Sequence, residues 1–255
     1  MWKLRKLGRI KPLGIVAGLV SKIVFYKGRV LSIKRGPLKG LKWYCHPQHQ
    51  FWMPLGLYEK ETTDWLLSRM NSRTVFYDIG ANAGYFTLVG AKYAKKTYAF
   101  EPVPINVEVI SKHIDYNEIG NTIIEQVAIN DKKGLTNFTI EKKNANSHLA
   151  QLPISHASTS TVEVIEVEAI TLDDYVREND PPTLVKVDVE GAEMSVLHGA
   201  KNCLTTFYPD IIVSTHSSQL YTDCNRFLVE CGYKVSSLSG FDHELIGRRI
   251  SSETN

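Results

Sequence analysis

Two groups of residues in this 255-residue chain have the types and the spacing to do chemistry. The first is the turn Asp78-Ile79-Gly80-Ala81-Asn82-Ala83-Gly84, followed 17 positions after Gly84 by Glu101 and Pro102. Gly80 and Gly84 can take backbone dihedrals closed to other residues, so the chain can pass close to a ligand. Glu101 would present a carboxylate to the two hydroxyls of a ribose. The second group is Lys186, Asp188 and Glu190 in Val185-Lys186-Val187-Asp188-Val189-Glu190-Gly191-Ala192-Glu193, with His216 further on. Asp188 or His216 could take a proton from a reacting hydroxyl, and Lys186 would be the charge partner of Asp188. Asp188 with Glu190 could instead hold a magnesium ion, whereas Glu190 and Glu193 could equally do no more than cap a helix.

The spacing of the first group bears on the cofactor. A dinucleotide fingerprint, G-x-G-x-x-G, seats a pyrophosphate on a helix N-terminus. Its middle glycine would fall at position 82, which is Asn82. Asp78, at the head of the turn, would repel a phosphate and suits a cationic ligand. S-adenosylmethionine fits these terms: a ribose for Glu101, no phosphate, and an ammonium and a sulfonium for the carboxylates.

The elements that must hold these residues follow from apolar patterning. Thr74 to Tyr77 reads as a buried strand, Tyr85 to Tyr93 as a helix, and Thr97 to Phe100 as a second strand ending in Glu101. A helix over Ile105 to Asn117 and a third strand over Thr122 to Ile129 follow, with Val127 and Ala128 lining an adenine pocket. Leu135 to Ile140 and Thr161 to Ala169 read as an inserted β-hairpin where substrate would approach. Thr171 caps a helix that Pro181-Pro182 stops. In the strand after it, alternation of Val185, Val187 and Val189 would send Lys186, Asp188 and Glu190 to the opposite side. A helix over Met194 to Cys203 comes next. A fifth strand, Asp210 to Thr215, delivers His216, and two closing strands (Tyr233 to Leu238, Leu245 to Ile250) end the sheet. The expected fold is α/β: a doubly wound, seven-stranded, Rossmann-like sheet of the class I methyltransferase kind.

The amino end has a different character. From Met1 to Tyr58 there are twelve lysines and arginines and no acid, leaving 18 of the 30 basic residues against all 27 acidic ones. We expect a basic segment over 1–29, a hairpin or lead-in over 30–57, and the catalytic domain over 58–255. Residues 1–29 could lie at the inner face of a membrane with basic side chains on anionic lipid; packing on the domain, or an unordered start, are the alternatives. Cys45, Cys203, Cys224 and Cys231 have no metal-like spacing and read as reduced thiols of a cytoplasmic protein. His46 and His49 read as loop histidines more readily than as a metal pair. Tyr58 to Met70 has helical periodicity, and Glu59 at its start could overhang the cofactor.

Asp78-Ile79-Gly80-Ala81-Asn82-Ala83-Gly84-Tyr85-Phe86, Phe100-Glu101-Pro102, Thr171-Leu172-Asp173 and Lys186-Val187-Asp188-Val189-Glu190-Gly191-Ala192-Glu193 together resemble the FkbM family of S-adenosylmethionine-dependent methyltransferases. The resemblance covers roughly residues 55 to 235. It implies methylation of a hydroxyl on a sugar, polyketide or other small product, with a small-molecule or glycan acceptor. A nucleic-acid methyltransferase is the rival enzyme class. Against it, there is no Asn-Pro-Pro-Tyr-like strand end to grip a flipped base, and the basic residues cluster away from the cofactor turn, so no nucleic-acid partner is expected. A non-catalytic scaffold that binds the cofactor at a membrane is the rival outside enzymes.

Overall fold

The computed structural model describes residues 28–46, 53, 56, 58–141, 147–149, 162–238 and 243–249. The basic segment expected over 1–29 therefore lies, apart from Gly28 and Arg29, outside the described residues, as does His49. Two short antiparallel strands, β1 (Val30–Ser32) and β2 (Lys42–Tyr44), open the described chain as the expected hairpin. Helix α1 (Lys60–Leu67) leads into the central sheet. No helix among the described residues is long and apolar enough to cross a membrane, and all four cysteines are buried free thiols.

The sheet is built from β3 (Val75–Ile79), β4 (Lys96–Phe100), β5 (Thr122–Glu125), β10 (Leu184–Val187), β11 (Asp210–Ser214), β12 (Tyr233–Ser237) and β13 (Glu244–Arg249), in the order β12-β13-β11-β10-β3-β4-β5. The five strands β5, β4, β3, β10 and β11 are mutually parallel, and the closing hairpin β12–β13 inserts β13 antiparallel against β11. After β3 the chain winds outward through α2 (Tyr85–Tyr93), β4, α3 (Pro104–Tyr116) and β5. It then returns to place β10 on the other side of β3. That reversal of winding opens a crevice at the carboxyl ends of β3 and β10.

Both sheet faces are buried, as the near-continuous apolar strands require. Val75, Tyr77, Ile79, Val185, Val187, Ile211 and Val213 join one core cluster. Phe76, Leu184, Ile212 and the α2 residues Leu88 and Val89 join the other. Asp78 and Lys186 alternate onto that second face and are register partners across β3 and β10.

Three sequence expectations need correction. The strand expected over Thr122 to Ile129 breaks after Glu125, and β6 (Ala128–Ile129) leaves for a second sheet. That sheet has four strands rather than the two of a hairpin: β6, β7 (Gly134–Glu141), β8 (Ser147–Leu149) and β9 (Val162–Ile170), ordered β6-β9-β7-β8. The helix expected over Met194 to Cys203 is two helices, α5 (Glu193–Gly199) and α6 (Lys201–Phe207), broken at Ala200. Gly199 abuts the Asn130 carbonyl, where a Cβ would come within 1.9 Å. Thr171 does cap α4 (Leu172–Tyr175), its hydroxyl accepting from the Asp174 amide at 3.0 Å. Helix α7 (Ser218–Glu230) ends before Gly232, whose φ is +88°.

The turn after β3 is tight against β10. Gly80 has φ +81°, and a Cβ there would lie 2.0 Å from the Asp188 carbonyl oxygen. Gly40 has φ +95° with nothing within 4 Å of such a Cβ. Gly80→Ala should therefore cost about 2–5 kcal/mol, roughly 1–2 from the left-handed backbone and about 1–3 from overpacking. Gly40→Ala should carry only the first part, about 1–2 kcal/mol. Urea unfolding of the two variants checks this, and equal losses would refute the close approach.

Candidate active site

The carboxyl ends of the parallel strands deliver the candidate residues into one cleft of about 340 Å³. β3 ends in Gly80, Ala81 and Asn82, β4 in Glu101 and Pro102, and the break after β5 brings Val127 and Ala128. β10 contributes Lys186, Asp188, Val189 and Glu190, and β11 contributes Ser214, Thr215 and His216. Three of the five non-glycine residues with positive φ among the described residues line this cleft: Glu59 (+38°), Asn82 (+50°) and Glu190 (+53°). Such conformations persist where the surroundings over-determine them, commonly at functional sites.

At one end, Glu101 is almost fully buried yet reaches the cleft wall. Its Oε2 accepts from the Asn82 amide at 2.7 Å, and its Oε1 from the Val103 amide and the Asn106 side-chain amide, both at 3.0 Å. These bonds fix the carboxylate against the glycine turn. Burial pushes its pKa up, with the Val103, Asn106 and Asn82 hydrogen bonds opposing. Phe100, Pro102, Val127, Ala128 and Ile129 add apolar surface, suited to a base, to the lining of the same cleft.

Asp78 and Gly84 do not line the cleft. Asp78 is the fourth residue of β3 rather than the head of the turn, and it is wholly buried. Its Oδ2 accepts from the Thr87 hydroxyl at 2.7 Å, and its Oδ1 has no hydrogen-bond partner among the described residues. Gly84 is the N-cap of α2 with φ +82°, packed on Ile110. Both shape the turn from behind.

At the other end, Lys186 is buried, with Nζ 3.0 Å from Asp188 Oδ2 and 4.7 Å from the centre of the Phe86 ring. Burial works against its charge, but Asp188, Asp78 and Glu59 outweigh it and hold the ammonium above the usual lysine range. Burial likewise works to raise Asp188, but Lys186 and then His216 bring it below the ordinary carboxylate range.

The alternation expected through Val189 fails because β10 stops at Val187 and Glu190 turns left-handed. Glu190 still joins the cluster. His216 Nε2 lies 3.1 Å from Glu190 Oε2 and 3.7 Å from Asp188 Oδ1, and its Nδ1 lies 2.6 Å from Glu193 Oε1. Burial disfavours the charged imidazole, but the Glu193 hydrogen bond and the charges of Glu190 and Asp188 push His216 up to about 9. Burial pushes Glu190 up to about 7 against the pull of His216.

Several cleft or support residues were not assigned a role at the site from sequence, four of them prominent. Glu193 is fully buried and holds His216 rather than only capping α5. Glu244 faces the cleft because register pairs it with Ser214, whose hydroxyl donates to its Oε1 at 2.9 Å. Phe138 arrives from the second sheet, and Tyr58 precedes Glu59. Strand register and an inserted sheet leave no local signal. Glu59 itself lines the cleft as expected.

The lining thus carries five carboxylates, Glu59, Glu101, Asp188, Glu190 and Glu244, against one lysine. That donor set disfavours a phosphate-bearing cofactor and fits a cationic nucleoside with its ribose at Glu101. The strand order, the antiparallel penultimate strand and this cleft define a class I methyltransferase fold dependent on S-adenosylmethionine.

The family description "Methyltransferase FkbM domain" matches residues 78–235, and the chain belongs to that family. It is 27% identical over 195 residues to the hexuronic acid methyltransferase AglP of Haloferax volcanii, covering 75% of this chain and 77% of that protein. It is also 27% identical over 213 residues to methyltransferase sdnD of Sordaria araneosa, covering 71% and 82%. The crystal structure of methyltransferase FkbM from Methylobacillus flagellatus superposes with a TM-score of 0.50 at 18% identity, over 70% of this chain and 44% of that one.

Two outcomes follow. Glu101→Gln replaces an acceptor with an amide facing the Asn82 and Val103 donors, so affinity for S-adenosylhomocysteine should fall about 10- to 100-fold, the worth of one charged hydrogen bond. Calorimetry reads this, and affinity within about threefold of wild type would remove Glu101 from the ribose site.

Burial, and next the charge of Asp188, push Glu244 from 4.5 up to about 7; Ser214 and Lys186 oppose them and Glu59 adds to them. The folded chain then binds this proton more tightly than the unfolded chain. Its contribution to stability is full below 4.5 and is lost as pH rises towards 7. Glu244→Gln should flatten that fall in melting temperature, and an unchanged slope would contradict the assignment.

Proposed function

We propose that this protein is an O-methyltransferase that moves the methyl group of S-adenosylmethionine to a hydroxyl of a sugar, glycan or related polyhydroxyl product. When bound, the cofactor supplies an electrophilic methyl for in-line displacement. The chain's own work is to align the acceptor oxygen and take up its hydrogen bond. Asp188 carries this reading. It stands at the carboxyl end of β10 in the same cleft as Glu101, with its side chain 23% exposed. Lys186 keeps it ionised, so it accepts a hydrogen bond from an incoming hydroxyl. Glu59 and Glu244 line the same cleft and add further oxygens suited to a polyol. The 27% identity to AglP, a hexuronic acid methyltransferase, supports a sugar acceptor.

The basic residues of the amino end belong to this reading as a surface contact with anionic membrane. Asp188 and Glu190, the pair expected as an alternative to hold magnesium, are joined on the cleft wall by His216. The reading carries no nucleic-acid acceptor, because Lys186 is the one lysine or arginine among the described cleft residues and it is buried.

Purified chain with methyl-labelled cofactor should label glycan or glycolipid fractions and leave RNA unlabelled. Asp188→Asn should lower turnover by about 10²- to 10⁴-fold, the usual worth of a positioned proton acceptor. Its affinity for S-adenosylhomocysteine should stay within about threefold of wild type. Label confined to RNA, or full turnover by the Asn variant, would overturn the proposal.

A further inference from the structure

Asp188, Glu190 and His216 come together in a way that the methyl-transfer reading does not require. One ligand-type atom from each lies within 4.8 Å of the others, on the cleft wall. The imidazole is oriented for ligation. Its Nδ1 is tied to fully buried Glu193 at 2.6 Å, and that carboxylate is itself held by the Gly191 amide at 2.9 Å. The other ring nitrogen, Nε2, is thereby turned towards the Glu190 and Asp188 oxygens. A carboxylate on the far nitrogen is the usual support of a metal-ligating histidine, fixing its tautomer and raising its basicity.

A second observation points to a cation. Glu244 is nine-tenths buried in the same cleft, and its Oε2 has no hydrogen-bond partner among the described residues. Glu193 Oε2 is likewise buried without one.

We propose that Asp188, Glu190 and His216 form a binding site for a divalent transition-metal ion. One imidazole with two carboxylates favours manganese-like ions over magnesium, whose sites are built from oxygen alone. Lys186 sits behind Asp188 on Oδ2, 3.0 Å away, and leaves Oδ1 as the ligating oxygen. An ion there would share the wall with the acceptor oxygen of the proposed methyl transfer. Its function rests on that reading, but its binding does not.

The test uses the full chain and Mn²⁺ alone, read by loss of the free-ion electron paramagnetic resonance signal. One Mn²⁺ per chain is expected, at least about tenfold tighter than Mg²⁺ in competition. Glu190→Gln and His216→Gln should each weaken it by about tenfold or more, and Glu193→Gln by about 10- to 100-fold through loss of ring orientation. Binding of S-adenosylhomocysteine by each variant verifies folding. Two results would overturn the proposal: Mn²⁺ uptake unchanged in these variants, or Mg²⁺ bound as tightly as Mn²⁺. Because no acceptor is present, failure here leaves methyl transfer standing, and failure to methylate glycans leaves the metal result standing.

Discussion

The buried ammonium of Lys186 constrains the rest of the site. It lies on an apolar sheet face beside Phe86, where a lone charge costs several kcal/mol even after relaxation. Only close partners offset that cost, and strand register supplies the first, because Asp78 is its neighbour across β3 and β10. Asp188, at the end of β10, supplies the second. Removing one member of a buried pair typically costs about 3–5 kcal/mol, so the fold and the charge state of Asp188 are tied together. Asp78 also ties the network to α2 through Thr87. The turn after β3 and the Asp188 carboxylate at the end of β10 thus share one electrostatic anchor beneath the cleft.

The parts of this arrangement that local chemistry dictates were legible in the sequence. Helix α2 was read with its observed bounds because Gly84 and the apolar run after it fix its start. β4 was legible to one residue, and the closing hairpin in type and order, for similar reasons. The expected sheet class follows from strands alternating with helices, and it is the class observed. What was not legible depends on contacts distant in sequence. The split at Ala200 answers to a neighbouring backbone at Asn130. The break after Glu125 answers to β9, which pairs with β6 from about 40 residues downstream. Glu244 reaches the cleft by pairing with Ser214, 30 residues before it.

Glu190 shows how a residue can reach the cleft by a route other than the expected one. Alternation along the strand put it on the same side as Lys186 and Asp188. The strand has already ended at that point, and a left-handed residue followed by Gly191 at φ +110° turns the side chain towards His216. Glu193 is the converse case. A helix-capping residue by position, it is committed instead to His216 and the Gly191 amide. A loop carrying Glu190, Gly191 and Glu193 therefore does what a straight strand could not: it closes three carboxylates around one imidazole.

That closure also bears on which acceptors the cleft admits. A further carboxylate brought within about 4 Å of an ionised one meets a repulsion of about 4 kcal/mol at an effective dielectric near 20. A neutral hydroxyl donating to the same group gains about 1.5–3 kcal/mol. On this wall Lys186 keeps Asp188 ionised, whereas Glu190 and Glu244 are pushed up to about 7 and His216 up to about 9, so an incoming acceptor meets charges of both signs. A divalent cation seated between Asp188, Glu190 and His216 would cancel the two carboxylate charges and leave that part of the wall near neutral. Filling that trio would therefore change how the cleft meets a charged acceptor far more than how it meets a neutral hydroxyl, which gains its hydrogen bond from Asp188 with or without the ion.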